Sequence, residues 1–233
     1  MRRVLLKLSG EALSGDKGHG FDEETVLGVA RQVKEIVDEG IQTAIVIGGG
    51  NFWRGRSSGA IERTHADQIG MLATVMNCIY TSEIFRSLGM KTVVMTPFQV
   101  GAFTELFSKD KAVEALEAGK VVFFAGGTGN PYFSTDTGVV LRAIEMEADE
   151  ILLAKAVDGV YDSDPRKNPE AKRFDEITIE EVVAKDLGVV DSAAAVMARD
   201  NRMPMLVFQL DGKESIALAA RGVITGTKVV VGR

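Results

Sequence analysis

Val121-Val122-Phe123-Phe124-Ala125-Gly126-Gly127-Thr128-Gly129-Asn130-Pro131-Tyr132-Phe133-Ser134-Thr135-Asp136 is the stretch that decides the fold. Its first five residues are apolar, mostly β-branched or aromatic, and read as a buried strand. Thr137 to Ala148 carries a helical pattern. A glycine-rich crossing from a strand end to a helix start is where an open α/β sheet binds ligands. Gly126, Gly127 and Gly129 let backbone approach a ligand closely, and the helix N-terminus beyond them favours negative charge. Thr128, Asn130, Ser134 and Thr135 add donors and acceptors suited to a base, sugar or phosphate. Read alone, the stretch also suits an ordinary sharp turn.

The same strand, loop and helix sequence recurs on both sides of it. Arg3 to Leu8 reads as a strand, and Ser14 to Gly20 as a loop too glycine-rich for regular structure. Asp22 suits an N-cap for a helix that Gly40 stops. Thr43 to Ile47 is a β-branched run ending in Gly48-Gly49-Gly50-Asn51, and Ala66 to Leu88 is a long helical pattern. Lys91 to Met95 and Ile151 to Ala154 are further short apolar runs. This alternation predicts an α/β fold with an open, mostly parallel central sheet and helices on both faces. Ile179 to Lys185 and Ser192 to Asn201 read as helices, Met205 to Phe208 and Lys228 to Val231 as strands with a helix between them. The polar segment Asp162 to Arg173, with two prolines, reads as a mobile flap.

Composition narrows the function classes. The chain has 233 residues, 45% of them hydrophobic, which suffices for a large core. A net charge of −6 argues against broad nucleic-acid binding. The one cysteine, Cys78, rules out an internal disulfide framework, reads as a small core residue and fits a cytoplasmic location. The apolar run after Met1-Arg2-Arg3 stops at Lys7, too soon for a signal segment, and no stretch is long enough for a bilayer.

Four glycine-containing strand ends stand out, at Lys7–Gly10, Gly48–Arg54, Gly126–Asp136 and Ala154–Tyr161. None is a Walker A loop or a G-x-G-x-x-G fingerprint. Glycine-loop N–H groups, one lysine and one arginine can nevertheless neutralise phosphate oxygens. Lys7 projects from a strand end as a fixed charge, and the Arg54 fork suits two-point phosphate contact. Singly, each reads as an ordinary solvated charge. Their joint occurrence at strand ends points to phosphate chemistry.

This combination resembles the amino-acid-kinase family, and within it the bacterial UMP-kinase branch, over nearly the whole chain. The motifs that carry the resemblance are Lys7-Leu8-Ser9-Gly10-Glu11-Ala12-Leu13, Gly48-Gly49-Gly50-Asn51-Phe52-Trp53-Arg54-Gly55 and Ala66-Asp67-Gln68-Ile69-Gly70-Met71-Leu72-Ala73-Thr74. Gly127-Thr128-Gly129-Asn130-Pro131-Tyr132-Phe133, Val157-Asp158-Gly159-Val160-Tyr161 and Asp164-Pro165 complete them. The resemblance implies transfer of the ATP γ-phosphoryl group to UMP, with Mg²⁺ carried on ATP. It implies one domain with two lobes, residues 1–150 mainly for the acceptor and 151–233 mainly for ATP. It puts Lys7, Leu8, Ser9, Gly10, Gly50 and Arg54 at the ATP phosphates, and Tyr161 and Asp164 at the nucleotide end. Gly49, Asp67, Thr128, Gly129, Asn130, Pro131, Tyr132, Phe133, Ser134 and Thr135 would meet UMP, with Asp67 accepting from the ribose hydroxyls. The family usually has Thr or Asn near the adenine contact, where this chain has Lys155-Ala156. Gly15, Asp16, Lys17, Gly18, His19 and Gly20 match a segment linked to activation by GTP. The resemblance further implies a homohexamer inhibited by UTP.

Phosphoryl transfer to a phosphate needs little general-base help, so His19 and His65 read as non-catalytic. Lys7, Arg54 and Asp136 form the expected catalytic set. Asp136 reads equally as a helix N-cap or as a group that positions Mg²⁺. Met71, Leu72, Val75, Met76 and Ile79 read as a core or subunit-interface face, and Trp53 as a ligand or subunit contact. Two other readings remain: a kinase for a carboxylate or carbamate, and a nucleotide sensor without turnover.

Overall fold

The computed structural model describes residues 1–53, 61–211, 213–223 and 226–232. β1 (Arg3–Leu8) forms from an apolar run in which Lys7 is the one interior charge. α1 (Gly10–Ser14), which the sequence reading did not single out, follows, and then a 3-10 turn (Gly15–Lys17) within Ser14–Gly20, where the glycine content predicts irregular chain. α1 has a local cause: the Ser9 side chain caps it by accepting from the Ala12 N–H, and good helix formers follow. α2 (Glu23–Asp38) is capped by Asp22, which accepts from the Thr25 N–H as expected.

β2 (Gln42–Ile47), α3 (Arg63–Ser87), β3 (Thr92–Thr96), β4 (Glu105–Leu106), α4 (Lys109–Glu117) and β5 (Val121–Phe124) come next. They are followed by α5 (Thr135–Glu145), β6 (Glu150–Lys155), β7 (Glu176–Thr178), α6 (Ile179–Ala184), α7 (Ser192–Asp200), β8 (Met205–Gln209), α8 (Ser215–Ala220) and β9 (Thr227–Val230). Among the described residues the strands form one sheet in the order β4-β3-β5-β2-β1-β6-β8-β9-β7. Neighbours are parallel except β8 and β9, which run antiparallel.

Both sheet faces are covered. On one, Leu5, Val46, Phe124, Leu153 and Val207 pack under Val139, Val140 and Ala143 of α5 and Ala194 and Ala198 of α7. On the other, Leu6, Ile45, Phe123 and Leu152 pack under Val26 and Val33 of α2, Cys78 and Phe85 of α3, and Ile216 of α8. Each such fully buried aliphatic side chain contributes about 1.5–3 kcal/mol. Burial pushes the Cys78 thiol up to about 12, so it behaves as a small hydrophobe, as its setting predicts. The α3 stripe divides: Val75 and Cys78 face the core, while Ile69, Leu72, Met76 and Ile79 remain exposed. No helix among the described residues is long and apolar enough to cross a membrane.

β1 lies between β2 and β6, so successive crossovers leave it in opposite directions. A crevice opens beyond the strand C-termini at such a switch point. Lys7 stands beneath it.

Candidate functional site

A cleft of about 660 Å³ lies over the C-terminal ends of β1, β2 and β5. At its floor the Lys7 ammonium is 3.1 Å from Asp136 Oδ1, with the two side chains only 12% and 20% exposed. Asp136 can reach Lys7 because it is not the helix cap. Ser134 takes that role, its Oγ accepting from the N–H groups of Asp136 and Thr137. Asp136 thus sits in the first turn of α5 and directs its carboxylate at Lys7.

The loops after β1 and β2 interlock. The Gly48 N–H donates to the Leu8 carbonyl at 3.0 Å. A Cβ on Gly10 would lie 2.4 Å from Asn51 Oδ1 and 2.5 Å from the Gly48 carbonyl, so glycine is what lets the loops meet. Asn51 and Asn77 exchange side-chain hydrogen bonds of 3.0 and 2.8 Å. Asn77 also donates to the Gly48 carbonyl, and Asn51 to the Gly20 carbonyl. Leu8 is fully buried and does not line the cleft.

The 126–135 loop forms another wall. Thr74 Oγ1 accepts from the Gly126 N–H at 2.7 Å. Asp67 Oδ2 accepts from the Tyr132 N–H at 2.8 Å and from Arg63 Nε at 2.7 Å. The Arg63 guanidinium also lies over the Tyr132 ring, 5.3 Å from its centroid. Tyr132 has a left-handed φ of 72° and is 64% exposed, and this clamp holds it there. Asp191 closes the loop's far end: it accepts from Ser134 Oγ and Thr137 Oγ1 and caps α7 through the Ala194 N–H. Burial alone would raise the Asp191 carboxyl, but these hydrogen bonds outweigh it and hold the group below the usual range.

Lys7, Ser9, Gly10, Gly49, Gly50, Asp67, Thr128, Asn130, Phe133, Ser134, Thr135 and Asp136 all line this cleft. Gly129, Pro131 and Tyr132 do not line it, although the Gly129 N–H donates to the Gly126 carbonyl and the Tyr132 N–H to Asp67 within this wall. Arg54 lies outside the described residues, as does Gly55. Lys155, Tyr161 and Asp164 line an adjoining cleft of about 540 Å³, which shares Asp186 and Gly188 with the first. The excursion beyond Tyr161 is tied at its base, where Tyr161 bridges Arg173 and the Asp162 N–H donates to the Lys172 carbonyl.

The Gly15–Gly20 segment stands outside the main cleft but touches its walls. Gly15 and Asp16 border a neighbouring cavity, Lys17 pairs with Asp22, and the His19 ring meets Phe52 edge-on. His65 is paired with Glu62 on the surface. The Trp53 indole N–H donates to the Ala66 carbonyl at 2.8 Å while its ring borders the cleft. Arg63, Asn77 and Asp191 escaped the sequence reading. Asp191 followed by an alanine run signals a helix start, but nothing local reveals its partner Ser134, 57 residues away.

Among the described residues no group of three or more His, Cys, Asp or Glu is arranged to hold a metal ion. What the cleft offers is a lysine fixed by a carboxylate, backbone from interlocked glycine loops, and a hydrogen-bonding wall. That set can bind and align phosphate groups.

Residues 2–209 match the model of the amino acid kinase family. The chain is similar to the crystal structure of UMP kinase from Bacillus anthracis, at 38% identity and a TM-score of 0.95, covering 100% of this chain and 97% of that one. It is also similar to UMP kinase from Ureaplasma parvum, at 32% identity, TM-score 0.93 and 98% of each chain. Uridylate kinase from Archaeoglobus fulgidus matches at 25% identity and TM-score 0.75, over 99% of this chain and 100% of that one. The chain belongs to the amino acid kinase family.

Proposed function

We propose that this chain is a UMP kinase, transferring the γ-phosphoryl group of Mg²⁺-ATP to UMP to give UDP and ADP for pyrimidine nucleotide synthesis in the cytoplasm. One observation carries the reading: a single cleft joins the Lys7–Asp136 pair to Asp67 and the 128–135 loop, and adjoins the Tyr161–Asp164 cleft. A small carboxylate acceptor has no ribose hydroxyls to donate to Asp67, whose present partners are Arg63 and the Tyr132 N–H. The full-length likeness to UMP kinases supports the same substrate.

The chemistry follows from charge. A phosphate monoester has its second pKa near about 6, so the acceptor oxygen is ionised at neutral pH and needs no strong base. The obstacle is repulsion between two polyanions. Lys7 offsets it at a position that Asp136 holds, together with Arg54 and the loop N–H groups. Mg²⁺ carried with ATP would supply further charge neutralisation. Asp191 aligns the acceptor loop through Ser134 and Thr137. Residues 1–150 act mainly on the acceptor and 151–233 mainly on ATP.

Regulation and assembly belong to the same reading. The Gly15–Gly20 segment responds to GTP through Asn51 and Phe52, and UTP inhibits by occupying the acceptor side. The exposed apolar stripe of Ile69, Leu72, Met76 and Ile79 on α3 supports assembly into a homohexamer.

The test is ADP release from Mg²⁺-ATP with UMP, CMP, AMP or acetylglutamate as acceptor, with and without GTP. Turnover restricted to UMP is expected, and turnover with acetylglutamate alone would discard the substrate. UMP binding without turnover by any acceptor would instead favour a sensor. In the same assay Asp67→Asn is expected to raise the UMP KM about tenfold, the loss of one charged hydrogen bond. An unchanged KM would remove Asp67 from the site.

A further inference from the structure

The end of β6 carries a half-buried charge, Lys155, with no ion-pair partner among the described residues. Lys7 on β1 pairs in register with Leu153 on β6. Side chains alternate along a strand, so Lys155 leaves the same sheet face as Lys7, one pleat repeat further on. That face is the one α5 covers, with Asp136 above it. The Lys155 ammonium donates to the Val189 carbonyl at 3.0 Å. Lys155 and Val189 both line the Tyr161–Asp164 cleft. Among the described residues no carboxylate forms an ion pair with Lys155, and Asp136, whose charge acts on it, is already bound to Lys7. Burial pushes the Lys155 pKa down, the Lys7 charge adds to that, and Asp136 only partly offsets them. The Lys7 and Lys155 charges therefore act on one another, with Asp136, ion-paired to Lys7, the carboxylate whose charge reaches Lys155. A half-buried ammonium held by a carbonyl rather than a carboxylate favours an added anionic partner.

We propose that Lys155 is a catalytic residue whose ammonium meets the phosphate chain of the bound nucleoside triphosphate, rather than its base. This rests on the ATP reading of the site. One of its three N–H donors holds Val189, and the other two are directed at phosphate oxygens. As the bond between the γ-phosphorus and the bridging oxygen breaks, the electron pair stays on the departing diphosphate while the acceptor oxygen bonds to phosphorus. Lys155 stabilises that departing charge by hydrogen bonding and transfers no proton. Its bond to Val189 also links phosphate binding to the wall of the nucleoside cleft.

The experiment compares the full chain with Lys155→Met and Lys155→Arg, measuring calorimetric binding of Mg²⁺-ATP, inorganic tripolyphosphate and adenosine. Lys155→Met is expected to bind ATP and tripolyphosphate about ten- to a hundredfold more weakly, with adenosine unaffected. Lys155→Arg should recover most of the loss. Turnover of Lys155→Met should fall with a raised ATP KM and an unchanged UMP KM. The ligand-free methionine variant should melt higher than the parent, because the uncompensated charge is gone. Equal losses for adenosine and ATP, or undiminished tripolyphosphate binding, would overturn the proposal. So would a lower melting temperature with normal ATP affinity, the mark of a merely structural lysine. Should the methionine variant not fold, lysine-selective NMR of the parent chain decides: the Lys155 signal shifts on adding tripolyphosphate, and an unmoved signal overturns the assignment. A parent chain that binds tripolyphosphate through Lys155 but does not turn over UMP would sink the UMP kinase reading alone.

Discussion

Lys7→Met is expected to lower kcat for UMP phosphorylation about 10²–10³-fold, the scale on which a single preorganised charge-stabilising group acts. Lys7 is the fixed cation at the cleft floor, held 3.1 Å from Asp136, and the proposed mechanism puts its work in the transition state, where charge spreads between donor and acceptor. Affinity for UMP should therefore change much less than turnover. The substitution also strands Asp136 in a mostly buried position, which costs about 1–3 kcal/mol. Differential scanning calorimetry can separate the two effects through the double variant Lys7→Met/Asp136→Asn. Removing the orphaned carboxylate should restore the melting temperature while turnover stays low. Near-normal kcat in the folded single variant would remove Lys7 from catalysis. Recovery of turnover in the double variant would show that misplaced charge, and not the lost cation, caused the defect.

Gly10→Ala carries the other large effect, and it is steric. The added methyl would lie 2.4 Å from Asn51 Oδ1, 2.5 Å from the Gly48 carbonyl and 2.9 Å from the Gly50 N–H nitrogen. Two of these are backbone atoms, and Asn51 is itself pinned by Gly20 and Asn77. The loops after β1 and β2 must separate to admit it. Overpacking of this kind costs about 1–3 kcal/mol, and each kcal/mol is worth roughly 2–4 °C of melting temperature in a chain of this size. Catalysis should suffer more than stability, since a misplacement near 1 Å costs on the order of 10²-fold. Steady-state kinetics should show kcat/KM for ATP falling by about that factor. A value within twofold of the parent would mean that the loops yield without disturbing the site.

The readable parts of the fold were those whose signals are local. Apolar runs ending in glycine marked β1, β2 and β5, and Asp22 marked the start of α2. β4 and β7 were not readable, because strands of two and three residues at the sheet edges carry no periodicity. Their pairing is decided by what β3 and β9 present to them. The turn of β9 against β8 is likewise a tertiary outcome. In the site, Lys7 and the glycine loops were legible because strand ends announce themselves. Arg63 could have been found: it stands four residues before Asp67 on one helix. Starting that helix at Ala66 rather than Arg63 hid the pair. Asp136 was readable as a helix-start residue but not as the partner of Lys7, since Ser134 and Asp136 both suit a cap. Only the start of α5 at Thr135 decides between them.

The reciprocal amide pair of Asn51 and Asn77 makes those two positions one heritable unit. Both side chains are almost wholly buried, and each donates to and accepts from the other. Changing either alone leaves a buried amide with an unmade bond, a loss of about 1–3 kcal/mol, whereas a matched double change can be nearly neutral. Drift should therefore pass through both codons together or through neither. An alignment of relatives should show the two positions varying in concert, and frequent independent change at either one would refute that coupling. The loop after β2 is in this way bound to the ancestry of α3.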